Sequence, residues 1–210
     1  MNFTVIPQHV SIILLYDPCS LEKVSLDNIK ESGGFDIVTQ IENAVILLGN
    51  QTKKTKVTFQ PIRLEFTDEN NSSFKERDFS NFISLVTILP TLAIKAIGIN
   101  IFCRLDFADN FNTSQFISDN FLKDKKTFED KVKNKVISTS TRIFYGDTND
   151  HFDLRLTPVD LNSSKLGIQL HRHKDINVVD TTRQTEEVKK LSDETIVELD
   201  KIIKEIFEKK

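Results

Sequence analysis

A hairpin pattern in the second half of the chain constrains the fold most strongly. Leu154 and Leu156 alternate with polar residues along DHFDLRLT, and Ile168 and Leu170 do the same along LGIQLHRH. A period of two residues is typical of a β-strand with one buried face. The polar loop around Asn162, between the two segments, has turn composition. The pattern therefore predicts an antiparallel hairpin that packs one face against the rest of the domain.

The polar face of this hairpin collects three of the four histidines of the chain. A loop centred near Asn162 sets His151 opposite His173 and Asp153 opposite His171, with opposed Cβ atoms about 5 Å apart. Imidazoles together with a carboxylate are a donor set that suits zinc or non-haem iron. A metal with an open coordination position activates water, so this interpretation predicts a metal-dependent hydrolase or oxygenase.

A simpler interpretation explains the same residues. An antiparallel sheet with one buried face presents a polar face to water, and His, Asp, Arg and Gln are ordinary occupants of it. Asp153 and His171 then form a cross-strand charge pair, and Arg155 is another polar residue of the face, whereas in a metal-dependent enzyme it would steady an anionic substrate. We favour this interpretation, which predicts no cofactor. Zinc or iron held by His151, Asp153, His171 and His173 is the alternative.

Strands and one helix are predicted in the first half of the chain. Strands are expected in VSIILLY, FDIVTQI, AVILLG and a long run at residues 56–66, in which Pro61 marks a bulge or an edge. Ser73 and Glu76 have the spacing of a capping box, so a helix should begin there, after the fourth strand. An apolar stripe at helical spacing follows, made of Phe79, Phe82, Ile83, Val86 and Leu89, and Pro90 should end or kink this helix.

The second half is predicted to open on a buried central strand, AIKAIGINIFCRLDF, which is apolar on both faces for most of its length. Asn100 lies inside that run and needs hydrogen-bond partners if it is buried. Two short amphipathic helices follow, one with Phe116 and one with Phe128, and KVISTSTRIFYG then joins the hairpin in a three-strand meander. The chain is thus predicted to be an α+β domain with a mainly antiparallel sheet of about seven or eight strands.

A closing amphipathic helix is expected after a polar stretch, with Ser192 as its N-cap. Residues 1–183 then form a single domain, and residues 184–210 form this helix. Its apolar stripe is wide for a surface helix, so the helix either docks on the domain or associates with a second copy. The side chains that would form the interface in the second case are Ile196, Leu199, Ile203 and Ile206.

Charge and cysteine content bear on the partners and the compartment. The 28 basic and 31 acidic residues give a net charge of −3, which provides no general attraction to nucleic acid or to an anionic membrane. A lysine-rich stretch, Lys123 to Lys135, is interpreted as a solvated helix face, with a nucleic-acid-binding patch as the alternative. Cys19 and Cys103 lie in different settings, and no apolar run reaches the length of a membrane span. A cytoplasmic protein with no membrane partner is therefore expected.

Motifs of catalysis are scarce. The chain has six glycines and contains no G-x-S-x-G elbow, Walker loop or G-x-G-x-x-G fingerprint. The sequence therefore favours a non-catalytic protein that binds a protein partner, or a second copy of itself, through the polar sheet face and the C-terminal helix. A metal-dependent enzyme and a nucleic-acid-binding protein are the alternatives. Substrate, partner identity and oligomeric state are not determined by the sequence.

Overall fold

Nine strands form one antiparallel sheet in the computed structural model, which describes residues 2–32, 34–77, 79–89, 92–108, 111–161 and 163–208. The predicted α+β class with a mainly antiparallel sheet is confirmed, with nine strands in place of about seven or eight. The strands are β1 (Phe3–Tyr16), β2 (Ile37–Ile41), β3 (Val45–Asn50), β4 (Thr55–Gln60), β5 (Arg63–Asp68), β6 (Ile94–Phe107), β7 (Thr141–Gly146), β8 (Asp150–Pro158) and β9 (Lys165–Val178).

Five helices accompany the sheet in the described part of the chain. They are α1 (Leu26–Ser32), α2 (Ser80–Ile88), α3 (Thr113–Phe121), α4 (Lys125–Val132) and α5 (Thr181–Ile203), and α5 continues into a π-helical turn (Lys204–Glu208). Helices α1, α2, α3 and α5 bury side chains in one core with one face of the sheet, whereas α4 has no buried residue. That core includes Ile12, Ile29, Phe66, Phe82, Ile117, Ile168 and Leu199. None of the described helices is long and apolar enough to cross a bilayer.

The sheet is built from two halves that meet at its centre. Its strand order is β2-β3-β4-β5-β1-β6-β9-β8-β7, so the two 14-residue strands β1 and β6 are neighbours. In each half a long strand is followed by helical segments, then by an antiparallel meander, then by a closing helix. The meander returns to its own long strand, β5 to β1 and β9 to β6. The halves therefore share one order of elements around the β1–β6 junction, and β2 is the strand of the first half without a counterpart in the second.

The long run at residues 56–66 is two strands. β4 ends at Gln60 and β5 begins at Arg63, with Pro61 and Ile62 in the turn between them. The predicted bulge or edge at Pro61 is therefore wrong. A two-residue turn reverses the chain, which is why the buried positions change parity there. This hairpin adds one strand to the prediction and places α2 after the fifth strand instead of the fourth.

Ser73 does not cap a helix with its side chain. Residues Phe74–Glu76 form a single 3₁₀ turn closed by a backbone bond to the Ser73 carbonyl, and α2 begins only at Ser80. The predicted capping box is therefore wrong, and the reason is tertiary. The buried Arg77 side chain donates to the backbone carbonyl of Asp68 at 2.6 Å, which holds this segment against the end of β5.

The apolar stripe predicted for this helix is nevertheless present in α2. Phe82 and Val86 of this stripe are buried in the core, and Leu85, which was not predicted, is buried beside them. The C-cap is Leu89, whose backbone N–H donates to the Leu85 carbonyl. Pro90, expected to end the helix, lies outside the described residues.

The closing helix begins well before the predicted cap. Asp180 is the N-cap of α5 and accepts a hydrogen bond from the Arg183 backbone N–H at 2.9 Å. Ser192 lies in the middle of the helix, so its prediction as an N-cap is wrong. Its buried hydroxyl donates to the Val188 carbonyl at 2.8 Å, one turn earlier. This bond to the preceding turn satisfies the hydroxyl within the helix, so Ser192 does not have to cap a helix end.

Candidate binding surface

One face of the sheet has no described helix packed on it, and we call it the helix-free face. Because side chains alternate along a strand, every second residue of each strand points to it. Two rows of cross-strand neighbours define this face. From β2 to β7, the first row is Thr39, Leu47, Thr58, Glu65, Ile13, Gly98, His173, His151 and Gly146, and the second is Ile37, Gly49, Lys56, Thr67, Ser11, Asn100, His171, Asp153 and Phe144.

The predicted register of the β8–β9 hairpin is confirmed. His151 pairs with His173, and Asp153 pairs with His171. Asn162, on which the predicted loop was centred, lies outside the described residues. The alternation of the sequence thus locates all four side chains on the helix-free face, in the two rows given above.

A chain of hydrogen bonds crosses the centre of this face. Asn100 donates from Nδ2 to Ser11 Oγ at 2.9 Å, and its Oδ1 lies 2.7 Å from His171 Nδ1. Because Oδ1 can only accept, Nδ1 carries the ring proton of His171. Burial lowers the pKa of His171, and the neighbouring His173 lowers it further. The bond to Asn100 therefore fixes a proton on His171 Nδ1, and the lowered pKa favours the neutral form of the ring.

Asp153 is held between two arginines. Arg142 donates to both carboxylate oxygens, from Nε at 2.9 Å and from Nη2 at 2.8 Å, and Arg155 Nη2 donates at 3.0 Å. Asp153 is only 4% exposed. Its pKa is lowered mainly by the hydrogen bonds from Arg142, and also by those from Arg155. Its carboxylate is therefore an anion whose two oxygens are already bonded within the chain.

The histidines and Asp153 do not converge on a common point. The ring centroids of His151 and His173 are 5.1 Å apart, and those of His171 and His173 are 6.5 Å apart. His173 Nε2 lies 2.9 Å from Asp175 Oδ1, and Asp153 faces its arginines. Over residues 2–208, apart from the gaps given above, no group of three or more His, Cys, Asp or Glu residues is placed to hold a metal ion. Zinc or iron binding by these residues stays an untested alternative.

Cations elsewhere on the helix-free face also stand beside carboxylates. Arg63 contacts Glu65 at 2.7 Å, and Arg104 contacts Asp106 at 2.6 Å. Lys56 contacts Glu69 at 2.7 Å, just beyond the end of β5. These pairs join residues of the same strand or of neighbouring strands, so their geometry follows from the sheet itself. Much of the positive charge of this face is therefore balanced within the chain.

Apolar side chains lie between these charged groups. Leu15 is exposed near the end of β1, and Phe102 of β6 stacks on His9 with ring centroids 3.9 Å apart. Ile37 is exposed at the β2 edge and Phe144 at the β7 edge. The guanidinium of Arg142 lies 4.4 Å from the Phe144 ring. The face is thus a mixture of apolar side chains and paired charges.

The other sequence-predicted residues lie away from this face. Ile196, Leu199 and Ile203 of α5 are buried in the core, and Ile206 is partly buried against it. A second copy could reach the first three only if α5 left the sheet. In the stretch Lys123 to Lys135, Lys125 is 3.4 Å from Asp119. The exposed lysines of this stretch are Lys123, Lys126, Lys131, Lys133 and Lys135.

The residues that bond to His171 and Asp153 on the helix-free face differ in how far the sequence indicates them. Asn100 is marked by its position in an apolar strand, which indicates a need for partners. Ser11 and Arg142 are missed, because a serine beside apolar residues and an arginine in an alternating strand are both ordinary. Only the strand order brings Ser11 and His171 to opposite sides of Asn100.

Comparisons with known proteins assign no family. No family model matches the chain, and no curated protein matches it. Among solved structures, the chain resembles "Methanococcus jannaschii TBP" at 11% identity and a TM-score of 0.34, over 94% of this chain and 99% of that one. At this TM-score the resemblance supports no assignment of function.

Proposed function

We propose that this protein is a non-catalytic binding protein and that its helix-free face contacts a protein partner. The observation that carries the proposal is the pairing of charges on this face. Arg142 and Arg155 are bonded to Asp153, and Arg63 and Arg104 have carboxylates of their own. A nucleic-acid backbone is bound by cations that neutralise its phosphates, and three carboxylates already balance most of the charge of these four arginines. Paired charges around apolar side chains suit a protein surface better.

The chemistry of the face defines the partner it would suit. Leu15 and Phe102 offer apolar area on the two central strands, and the ion pairs offer donors and acceptors beside them. A partner with apolar side chains at the centre of its own interface and polar groups at the rim would complement this arrangement. No chemical step is part of the proposal.

The test compares two matched substitutions on opposite sides of the molecule. Leu15→Glu places a charge at an exposed apolar position of the helix-free face, and Val197→Glu places a charge at an exposed apolar position of α5. Partners of the wild-type protein are identified by affinity purification with quantitative mass spectrometry and then purified for binding measurements. We expect Leu15→Glu to weaken binding of such a partner about tenfold or more, and Val197→Glu to leave it unchanged. A partner that binds Leu15→Glu at wild-type affinity contradicts the proposal.

A second candidate function is nucleic-acid binding through the stretch Lys123 to Lys135. The observation in its favour is that five lysines of this stretch are exposed, with the half-exposed Phe128 among them. A substitution of Lys126, Lys131 and Lys133 by Gln should then lower affinity for DNA or RNA and flatten its salt dependence. Affinity for nucleic acid that does not respond to these substitutions contradicts this candidate.

A cytoplasmic location is part of the same proposal. Cys19 and Cys103 are free thiols, and burial raises the pKa of Cys103 to about 12. Unpaired cysteines are ordinary in a reducing compartment. Fluorescence microscopy of the tagged protein in its own cells checks the location.

A further inference from the structure

The outer edge of β2 is a short strand edge with no charge, proline or bulge of its own. β2 is the last strand in the sheet order, and only its β3 side is paired within the described residues. Its sequence, IVTQI, contains no charge and no proline, and Ile37 and Ile41 are 43% and 51% exposed. Proteins usually protect an exposed edge with a charge, a proline or a bulge, because its unpaired backbone groups can add another strand.

The opposite edge of the sheet is protected by such a device. β7 carries Arg142 on its helix-free side, and Gly146 at its end has a φ of +111°. No residue of β2, or of β3 beside it, is charged, so neither strand supplies a charge that would oppose the approach of another strand. The β2 edge is therefore the place where this sheet can extend.

The sequence of β2 is complementary to itself in the antiparallel direction. If two copies pair about a two-fold axis through Thr39, Ile37 of one copy lies opposite Ile41 of the other, and Val38 lies opposite Gln40. Ile37, Thr39 and Ile41 all point to the helix-free face. The axis is perpendicular to the sheet, so the helix-free faces of the two copies lie on the same side. Two apolar Ile37–Ile41 contacts then form, with Val45 and Leu47 of β3 beside them.

We propose that the protein forms a homodimer by antiparallel pairing of β2 with β2 of a second copy, centred on Thr39. The dimer is one continuous sheet of eighteen strands, from twice the nine strands of one chain. Asp36 and Glu42 flank β2, so Asp36 of one copy lies opposite Glu42 of the other and limits the pairing to five residues. A pairing of this size is a small interface, for which we expect a dissociation constant of roughly 10–100 µM. This interface uses the backbone edge of the sheet and does not require the partner binding proposed for the helix-free face, to which the side chains of Ile37, Thr39 and Ile41 belong.

The test uses charges that the proposed register makes complementary. Ile37→Lys and Ile41→Glu each place a charge opposite an isoleucine in the homodimer, so each variant alone should be monomeric. In a mixture of the two variants, Lys at position 37 of one chain lies opposite Glu at position 41 of the other, and the second contact stays Ile–Ile. The mixture should therefore form a heterodimer. Ile62→Lys, at an exposed turn position, is the matched control and should dimerise like the wild type.

Sedimentation velocity between about 5 µM and about 300 µM measures these states on either side of the expected dissociation constant. Far-UV circular dichroism melts confirm that each variant is folded. We expect a wild-type dimer at the higher concentration, single variants at least tenfold weaker, and recovery of the dimer in the mixture. A wild type that stays monomeric, or single variants that dimerise like the wild type, overturns the proposal. Monomeric single variants that do not associate when mixed overturn the proposed register, and the proposal with it.

Discussion

The carboxylate of Asp153 shows how strongly one residue on the helix-free face is determined by its neighbours. It is almost fully buried, whereas its partners Arg142 and Arg155 are about half exposed on their side chains. A buried anion needs such partners, because its own desolvation is unfavourable. The alternation of the sequence places Asp153 and Arg155 on this face, but it does not show that Arg142 of the neighbouring strand bonds to the carboxylate.

We expect Asp153→Asn to lower the free energy of unfolding by about 1–2 kcal/mol at neutral pH, a value reduced by the exposure of the arginines. Because the pKa of Asp153 is lowered in the folded state, its contribution is present above the unfolded pKa of about 3.9 and is lost as the pH falls through the folded value. Urea unfolding at several pH values measures both effects. Asp175→Asn, which removes a half-exposed carboxylate, is the control and should change stability by less than about 0.5 kcal/mol.

His171 should also make stability depend on pH, in a range closer to neutrality than that of Asp153. Its folded pKa is lowered by burial, so between that value and about 6.5 the unfolded chain binds the proton more readily. Stability should therefore fall as the pH drops below about 6.5, and level off below the folded pKa. His171→Gln keeps an amide donor for Asn100 and does not titrate, so it should reduce this loss. The pKa of His9 is lowered by burial too, so part of the dependence should remain. An equal loss in both proteins would show that His171 does not cause it.

The contacts of individual residues also bear on whether the histidines bind a metal ion. We expect protein purified without chelator to contain no stoichiometric zinc or iron, because Asp153 is bonded to arginines and His171 Nδ1 is directed at Asn100. Plasma mass spectrometry of the wild type and of a His171→Ala, His173→Ala variant measures this. One metal per chain that disappears in the variant would return the enzyme interpretation to first place.

At the scale of elements, α5 shows what an apolar stripe predicts and what it leaves open. The spacing of Ile196, Leu199 and Ile203 indicates one buried face, but it does not say what covers that face. Here the cover is the helix side of β6 and β9. The start of the helix was misplaced, because Ser192 and Asp180 are both good N-cap residue types and only the tertiary context selects Asp180.

Two substitutions on α5 separate its buried and exposed sides. Leu199→Ala should lower the free energy of unfolding by about 3 kcal/mol, because it opens a cavity in the core under α5. Val197→Ala, at a residue that is 63% exposed, should change the free energy of unfolding by less than about 0.5 kcal/mol. Urea denaturation monitored by far-UV circular dichroism gives both values. Equal effects of the two substitutions would mean that α5 does not dock through Leu199.

At the scale of the whole molecule, the pairing of β1 with β6 joins the two halves. These strands pair along almost their full length, and each also pairs with a strand of its own half. Neither half can unfold without exposing the apolar side chains that the other covers. We therefore expect one cooperative folding unit with a single unfolding transition.

The two tyrosines report on the halves separately, because the chain has no tryptophan. Tyr16 lies at the end of β1, and Tyr145 lies in β7. In each of the variants Tyr16→Phe and Tyr145→Phe, fluorescence of the remaining tyrosine should follow the same unfolding curve as far-UV circular dichroism. Each variant is compared with itself, because loss of the bond from Tyr16 to the Gln60 carbonyl changes stability by about 1 kcal/mol. Separate transitions for fluorescence and circular dichroism in either variant would contradict a single unit.

The sequence by itself determined which residues face the core and which face outward. Alternation located His151 and His173 on one face and predicted their register, because a strand has a period of two and the hairpin loop is short. Helical spacing likewise identified the buried side chains of α2 and α5. These are local properties, and local sequence carries them.

Only the tertiary structure decided which strands become neighbours. Asn100 and Ser11 are 89 residues apart, and the bond between them exists because β1 and β6 meet at the centre of the sheet. The shared order of elements in the two halves, and the unpaired edge of β2, follow from the same long-range pairing. Hydrogen bonding along a strand edge is much the same for many sequences, so the identity of the partner strand depends on how all the apolar faces are covered at once.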